Sequence, residues 1–261
     1  MPVIIDRLSQ LLKENDALYG VICRDATLTD IELMSQVGYH IIWIDIEHCP
    51  QSTEQAIQLA RSITHLGMLP LVRIRELSRT NVQPLVDGGV RIIALPDVRS
   101  AEQAAELVEL SKYPPLGQRG VSTTNAGVGF QLGSDLPETF RQANQATHLL
   151  VLFESDEGYE SLDKILEVDG IDMVGVGAND WSASLGIYGE EAKKNLTPKI
   201  ERVYNEAVKA GKIPIMGGGS PEQVQYFRKL GAKVYFTGVD VAMKRRMLVD
   251  TLKSFHDAHG S

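Results

Sequence analysis

The chain has 261 residues, 43% of them hydrophobic, with 26 Lys+Arg against 34 Asp+Glu and a formal net charge of −8. That composition suits a full hydrophobic core and argues against nucleic acid or an anionic membrane as the main partner. No apolar stretch approaches the roughly 20 residues that cross a bilayer, the N-terminus lacks the pattern of a secretory signal, and Cys23 and Cys49 have no metal-type spacing, so a cytoplasmic, reducing setting is expected.

In chain order, Ile4, Ile5, Leu8, Leu11 and Leu12 at helical spacing predict a first helix over 3–16. Short apolar runs then predict strands at 19–23, 40–47, 69–74, 91–95, 148–154, 172–177, 213–217 and 234–238. Between them lie predicted helices near 28–37, 53–66, 79–88, 100–112, 156–167, 197–210 and 221–230, with a last one over 241–258. Ser52 or Thr53, Ser100 and Ser220-Pro221 supply helix starts, and Gly67, Gly89, Gly211 and Gly231 supply stops. The longest irregular stretch is 113–135; loops of that length are usually functional or pack on a neighbour. Strict alternation of strand and helix predicts a parallel sheet covered by helices. Eight such units predict one α/β domain over 1–261, a (β/α)8 TIM barrel with an extra N-terminal helix.

Active sites of such barrels form at the C-terminal ends of the strands, and here those ends are charged. Strand two ends in Asp45, Glu47 and His48, strand three in Arg73, strand five in Glu154, and strand six in Asn179 and Asp180. Asp45 and Glu47 alternate with Ile44 and Ile46, which predicts both on the barrel-facing side. Inward carboxylates are costly without a cation or strong donors. For Glu154 and Asp180, metal ligation is the natural relief, and oxygen ligands favour Mg2+ or Mn2+, with Co2+ a further candidate. His48 reads either as a structural histidine or as a base supported by Asp45. Arg73 reads either as an ion-pair partner of these acids or as a fork for a substrate carboxylate and a developing enolate oxygen. No lysine ends a strand; Lys212 and Lys233 begin strands seven and eight, which disfavours a Schiff-base mechanism.

Trp43-Ile44-Asp45-Ile46-Glu47-His48-Cys49-Pro50 resembles the Asp-x-Glu-His-x-Pro signature of the HpcH/HpaI aldolase family. The similarity continues through Pro70–Arg73, Gly88 to Pro96, Tyr113–Gly120 and Glu154, and ends with Asp172–Ser182. The resemblance implies a class II, pyruvate-dependent aldolase that cleaves a 4-hydroxy-2-oxo acid to pyruvate and an aldehyde through a metal-stabilised pyruvate enolate. It implies Glu154 and Asp180 as metal ligands, Arg73 at the enolate oxygen, His48 oriented by Asp45 for proton transfer, and Glu47 behind the ligands. The backbone N–H groups of Asn179 and Asp180 would hold the pyruvate carboxylate. It also implies a homo-oligomer, hexamer or trimer, whose last helix packs on a neighbour; Met243, Met247, Leu248, Leu252 and Phe255 supply an apolar stripe there.

The chain departs from the family at Ile22, Arg24, Leu152 and Trp181, positions expected on the pocket wall. Arg24 is read as either a contact for a second anionic substrate group or a surface ion pair. Two other activities stay open: an acyl-CoA lyase of the malyl or citramalyl type, and a metal-free barrel isomerase or synthase that binds phosphate at Gly217-Gly218-Gly219-Ser220-Pro221.

Overall fold

The computed structural model describes residues 4–131 and 135–260. Its strands are β1 (Leu18–Cys23), β2 (Ile41–Asp45), β3 (Leu69–Arg73), β4 (Ile92–Leu95), β5 (His148–Phe153), β6 (Met173–Val176), β7 (Ile213–Met216) and β8 (Val234–Val239). All neighbouring pairs are parallel, and β8 pairs with β1 to close the barrel in sequence order.

Because side chains alternate across a strand, each strand splits its residues between two cores. Ile42, Ile44, Val72, Ile93, Val151 and Val174 face the surrounding helices. Leu18, Ile22, Ile41, Trp43, Leu69, Leu71, Leu150, Leu152 and Phe236 fill the barrel interior. Each buried Leu or Ile there contributes roughly 1.5–3 kcal/mol. The same alternation places Asp45 above Trp43, Arg73 above Leu71 and Glu154 above Leu152, so the inward columns end in charge. The first helix, Arg7–Glu14, adds Leu8 and Leu11 to this interior and plugs its N-terminal end.

The helix boundaries follow the expected chemistry in most places. Ser52 and Gln55 form a capping box on Thr53–His65, and Ser100 caps Ala101–Ser111. The glycines expected to stop helices, at 67, 89, 211 and 231, all adopt positive φ. Several boundaries differ from expectation, among them the first helix, which starts at Arg7 behind the cap Asp6. The helix expected at 197–210 begins earlier, at Gly189, and runs through Pro198 to Lys209; Ala192, Leu196, Val203 and Ala207 keep one buried face across the proline, and packing outweighs the lost hydrogen bond. The helix expected over 156–167 splits into Asp156–Glu160 and Leu162–Leu166. Beyond the long loop lies Leu136–Ala146, which carries the same cap-and-proline start (Asp135, Pro137) as the helix at Pro221. A further helix, Ala178–Leu185, follows β6 directly.

Candidate active site

Asp45 organises the rim. Its carboxylate is fully buried and sits opposite Arg73 in the β2–β3 register. Arg73 Nε donates to Oδ1 at 3.0 Å and Nη2 to Oδ2 at 2.6 Å, a two-point pair. Arg24 Nε donates to Oδ2 at 3.1 Å, and the backbone N–H groups of Glu47 and His48 reach Oδ1 at 3.2 and 3.4 Å. Burial pushes this carboxyl up, but the Arg73 hydrogen bonds outweigh that and hold it below the usual range.

The expected support of the His48 imidazole by Asp45 is not what the structure contains. β2 ends at Asp45, two residues earlier than predicted, and the chain turns; Cys49 Sγ donates to the Asp45 carbonyl at 2.6 Å within that turn. Asp45 therefore receives only the backbone N–H of His48. The imidazole is 44% exposed, and its Nε2 lies 3.6 Å from Glu47 Oε2. Glu47 stays turned inward despite leaving the strand: the same oxygen is 3.0 Å from Arg73 Nη1. Burial raises the Glu47 pKa, with the Arg73 charge opposing it.

Glu154 is the first residue past β5 and is buried. Its Oε2 accepts the backbone N–H of Asp97 at 3.0 Å. Its Oε1 lies over Gly177, where an added Cβ would stand 2.0 Å from it. Burial, then the Asp180 charge, push the Glu154 pKa up to about 8, against the pull of Arg73. Asn179 and Asp180 occupy the first turn of Ala178–Leu185, rather than the strand end expected for them, and both are exposed. No side chain caps that helix, so its first N–H groups and positive dipole end face the rim.

Four carboxylates (Asp45, Glu47, Glu154, Asp180) thus share the rim with two guanidiniums (Arg24, Arg73). Arg73 serves Asp45 and Glu47, and among the described residues Glu154 and Asp180 have no guanidinium hydrogen bond. The two carboxyl groups without a guanidinium fit a divalent cation, which would displace the Glu154 proton. Among the described residues no three His, Cys, Asp or Glu side chains close on one point, so Glu154 and Asp180 would be the two side chains to hold such a cation.

Of the positions expected on the pocket wall, Ile22 and Leu152 form the interior layer beneath the charges. Trp181 does not reach the pocket: it is fully buried between helices, and its indole N–H donates to Asp156 Oδ1 at 2.8 Å. Arg24 is 41% exposed, and its backbone N–H is fixed by the buried Asp240 at 3.0 Å. Gly217–Ser220 follows β7 on the same rim. Lys212 bonds the carbonyls of Val168 and Ile171 at the barrel base. The buried lysine with a lowered pKa, Lys112, also lies at that far end. Asp97, Gly177 and Asp240 escaped the sequence reading. They act through a backbone N–H, an absent Cβ and a long-range contact, none of which a residue type advertises.

The chain is similar to known proteins over most of its length. The profile of the HpcH/HpaI aldolase/citrate lyase family matches residues 24–246. A 2-keto-3-deoxy-L-rhamnonate aldolase of Salmonella gallinarum is 32% identical over 94% of this chain and 91% of its own. An HpcH/HpaI aldolase of Desulfitobacterium hafniense superposes with TM-score 0.87 at 27% identity, covering 95% of this chain and 96% of that one. The citrate synthase SbnG superposes with TM-score 0.88 at 25% identity, covering 97% and 99%. The chain belongs to the HpcH/HpaI aldolase/citrate lyase family, and so to the enzymes that make or break carbon–carbon bonds.

Proposed function

We propose that the chain cleaves a 4-hydroxy-2-oxo acid to pyruvate and an aldehyde, and runs the reverse addition, with Mg2+ or Mn2+ (Co2+ as a third candidate) held by Glu154 and Asp180. The observation that carries this reading is the unmatched pair of carboxylates beside an arginine already locked by Asp45. A divalent cation held there would supply Lewis-acid charge to the 2-oxo acid.

The chain's own groups do the rest. The N–H groups of Asn179 and Asp180 bind the substrate carboxylate at a helix N-terminus. Arg73, held at two points by Asp45 and at a third by Glu47, offers its remaining N–H to the 2-oxo oxygen as that oxygen gains charge. His48, beside Glu47, takes the proton of the 4-hydroxyl. The C3–C4 bond then breaks, its electron pair passes into the enolate, and the aldehyde leaves. Return of a proton to C3 gives pyruvate. Arg24, partly exposed at the mouth, meets an anionic group on the aldehyde fragment.

The apolar face of Asp240–Gly260 supports a homo-oligomeric reading, hexamer or trimer. Met243 packs on the barrel, while Met247, Leu248, Leu252 and Phe255 are 64%, 66%, 61% and 71% exposed.

The test is exchange of the pyruvate methyl protons with deuterated water. Mn2+-loaded protein should catalyse it, and chelator or Glu154→Ala should remove it by about 1000-fold or more, the several kcal/mol a Lewis acid supplies. Exchange that survives chelation would sink the metal reading and favour an anion site at Gly217–Pro221.

A further inference from the structure

We propose that Asp97 is a positioning residue for the metal carboxylate: it ties down one oxygen of Glu154 so that the other alone is offered to the cation. The inference rests on the reading of Glu154 as a metal ligand.

β4 ends at Leu95, and Asp97 follows Pro96 with φ of 41°. Asp97 and Phe130 are the two non-glycine residues at positive φ among those described. The left-handed region is unfavourable for an L side chain and persists only where its surroundings impose it, with Asp and Asn the more tolerant types. Here the twist turns the Asp97 N–H toward β5, where it meets Glu154 Oε2 at 3.0 Å.

The Asp97 side chain holds that twist in place. Its Oδ1 accepts the Ser155 hydroxyl at 2.8 Å, and Ser155 is the residue after Glu154. Its Oδ2 accepts Arg99 Nε at 2.8 Å and lies 2.6 Å from Arg99 Nη2. The next residue, Val98, donates its N–H to the Leu152 carbonyl at 3.0 Å. The loop is therefore strapped on both sides of Glu154, to β5 before it at Leu152 and to the following helix cap after it at Ser155.

Any residue but proline has a backbone N–H to give. What aspartate adds is a short acceptor that bonds Ser155 and tolerates the left-handed turn. On the opposite side Gly177 leaves space for Oε1, which makes no hydrogen bond among the described residues. One oxygen bound and one free is the arrangement of a carboxylate oriented for single-point ligation, and such outer partners tune metal affinity by about 10–100-fold.

The test measures Mn2+ affinity by the EPR signal of the free ion, alongside thermal unfolding of the metal-free protein. Asp97→Ala loses the strap and strains the turn, so its Mn2+ Kd should rise at least about tenfold. Asp97→Asn keeps an acceptor and the tolerance for positive φ, and should stay within about threefold of the parent. Ser155→Ala removes one arm of the strap without touching φ; it should weaken Mn2+ binding several-fold and decides the matter if Asp97→Ala does not fold. A purely structural Asp97 would lower the melting temperature and leave the Kd of the folded protein unchanged. Unchanged Kd in Asp97→Ala and Ser155→Ala, or an equal loss in Asp97→Asn and Asp97→Ala, overturns the proposal. Glu154→Ala separates the two levels. If it abolishes Mn2+ binding while the strap variants keep it, only the role of Asp97 falls; if it binds like the parent, the metal reading falls and this inference with it.

Discussion

At the N-terminal end of the barrel, His148 lies between Asp6, 2.9 Å from its Nε2, and Asp172, 3.5 Å from its Nδ1. Lys112, also buried, bonds the carbonyls of Asn144 and Thr147 and lies 4.0 Å from Asp172. Two acids meet two bases there, and hydrogen bonds from Ser9 and Leu149 complete the carboxylates. At the C-terminal end, Arg73 engages Asp45 and Glu47, while Glu154 and Asp180 have no guanidinium hydrogen bond among the described residues. Both ends bury charge, yet only one leaves charge for a ligand to neutralise. A buried ionic cluster by itself therefore says little about function; what matters is whether the chain completes it. The difference also shows in the pKa directions. Burial opposes ionisation everywhere, but its partners hold His148 up and Asp6 down to about 2, whereas Glu154 is pushed up to about 8.

Four experiments test this difference between the two ends of the barrel. The largest expected effect is a pH dependence of metal binding. A cation must displace the proton that Glu154 carries below about pH 8, so Mn2+ affinity should fall about tenfold per pH unit below that value, roughly 100-fold by pH 6. Calorimetry in two buffers of different ionisation heat would detect the released proton; affinity that is flat over this range would contradict the unmatched-charge picture. Next comes Gly177→Ala. The new Cβ would stand 2.0 Å from Glu154 Oε1, so Mn2+ affinity should fall by about 10–100-fold while the circular dichroism spectrum stays that of the parent.

At the closed end the effect should be on stability alone. His148→Ala removes the partner that Asp6 and Asp172 share and should cost about 2 kcal/mol at pH 6, with Mn2+ affinity unchanged. The sign with pH is fixed by the shifts. His148 is raised above 6.5, so its contribution is complete below that pH and is lost as pH rises through the folded value. Asp6 and Asp172 are lowered from 3.8, so theirs is complete above that pH and is lost on acidification through the folded values. Denaturant midpoints should thus be highest between about pH 4 and 6.5, and His148→Ala should remove the alkaline fall. The smallest effect should come from Arg24→Ala. With Asp45 still paired by Arg73, kcat with a neutral aldehyde should change little, while KM for a carboxylated aldehyde should rise about threefold to tenfold, the worth of one partly exposed charged contact. Equal KM changes for both aldehydes would contradict a role in selectivity.

Much of the fold was legible because the barrel repeats one simple pattern. Continuous apolar runs such as 148–153 must be buried on both faces, and capped amphipathic stretches such as 53–65 must lie over them. The misplaced start at Gly189 arose where a local signal, Pro198, was outweighed by a face that stays buried across it. In the site, Asp45, Glu47, Arg73, Glu154 and Asp180 could be named because strand ends in a parallel barrel share one rim and charge there is costly.

The sequence alone determined which elements form, that they alternate, and which carboxylates and arginine end the inward columns, since all of that follows from period, caps and burial of charge. Only the tertiary structure decided the pairings: Asp45 with two arginines instead of the His48 ring, Trp181 buried away from the mouth, Asp97 and Gly177 on either side of Glu154, and charge completed at one end of the barrel but not the other. Those are distances between residues as far apart as 142 positions in the chain. No local pattern encodes them, because they depend on how neighbouring strands register and where their loops turn.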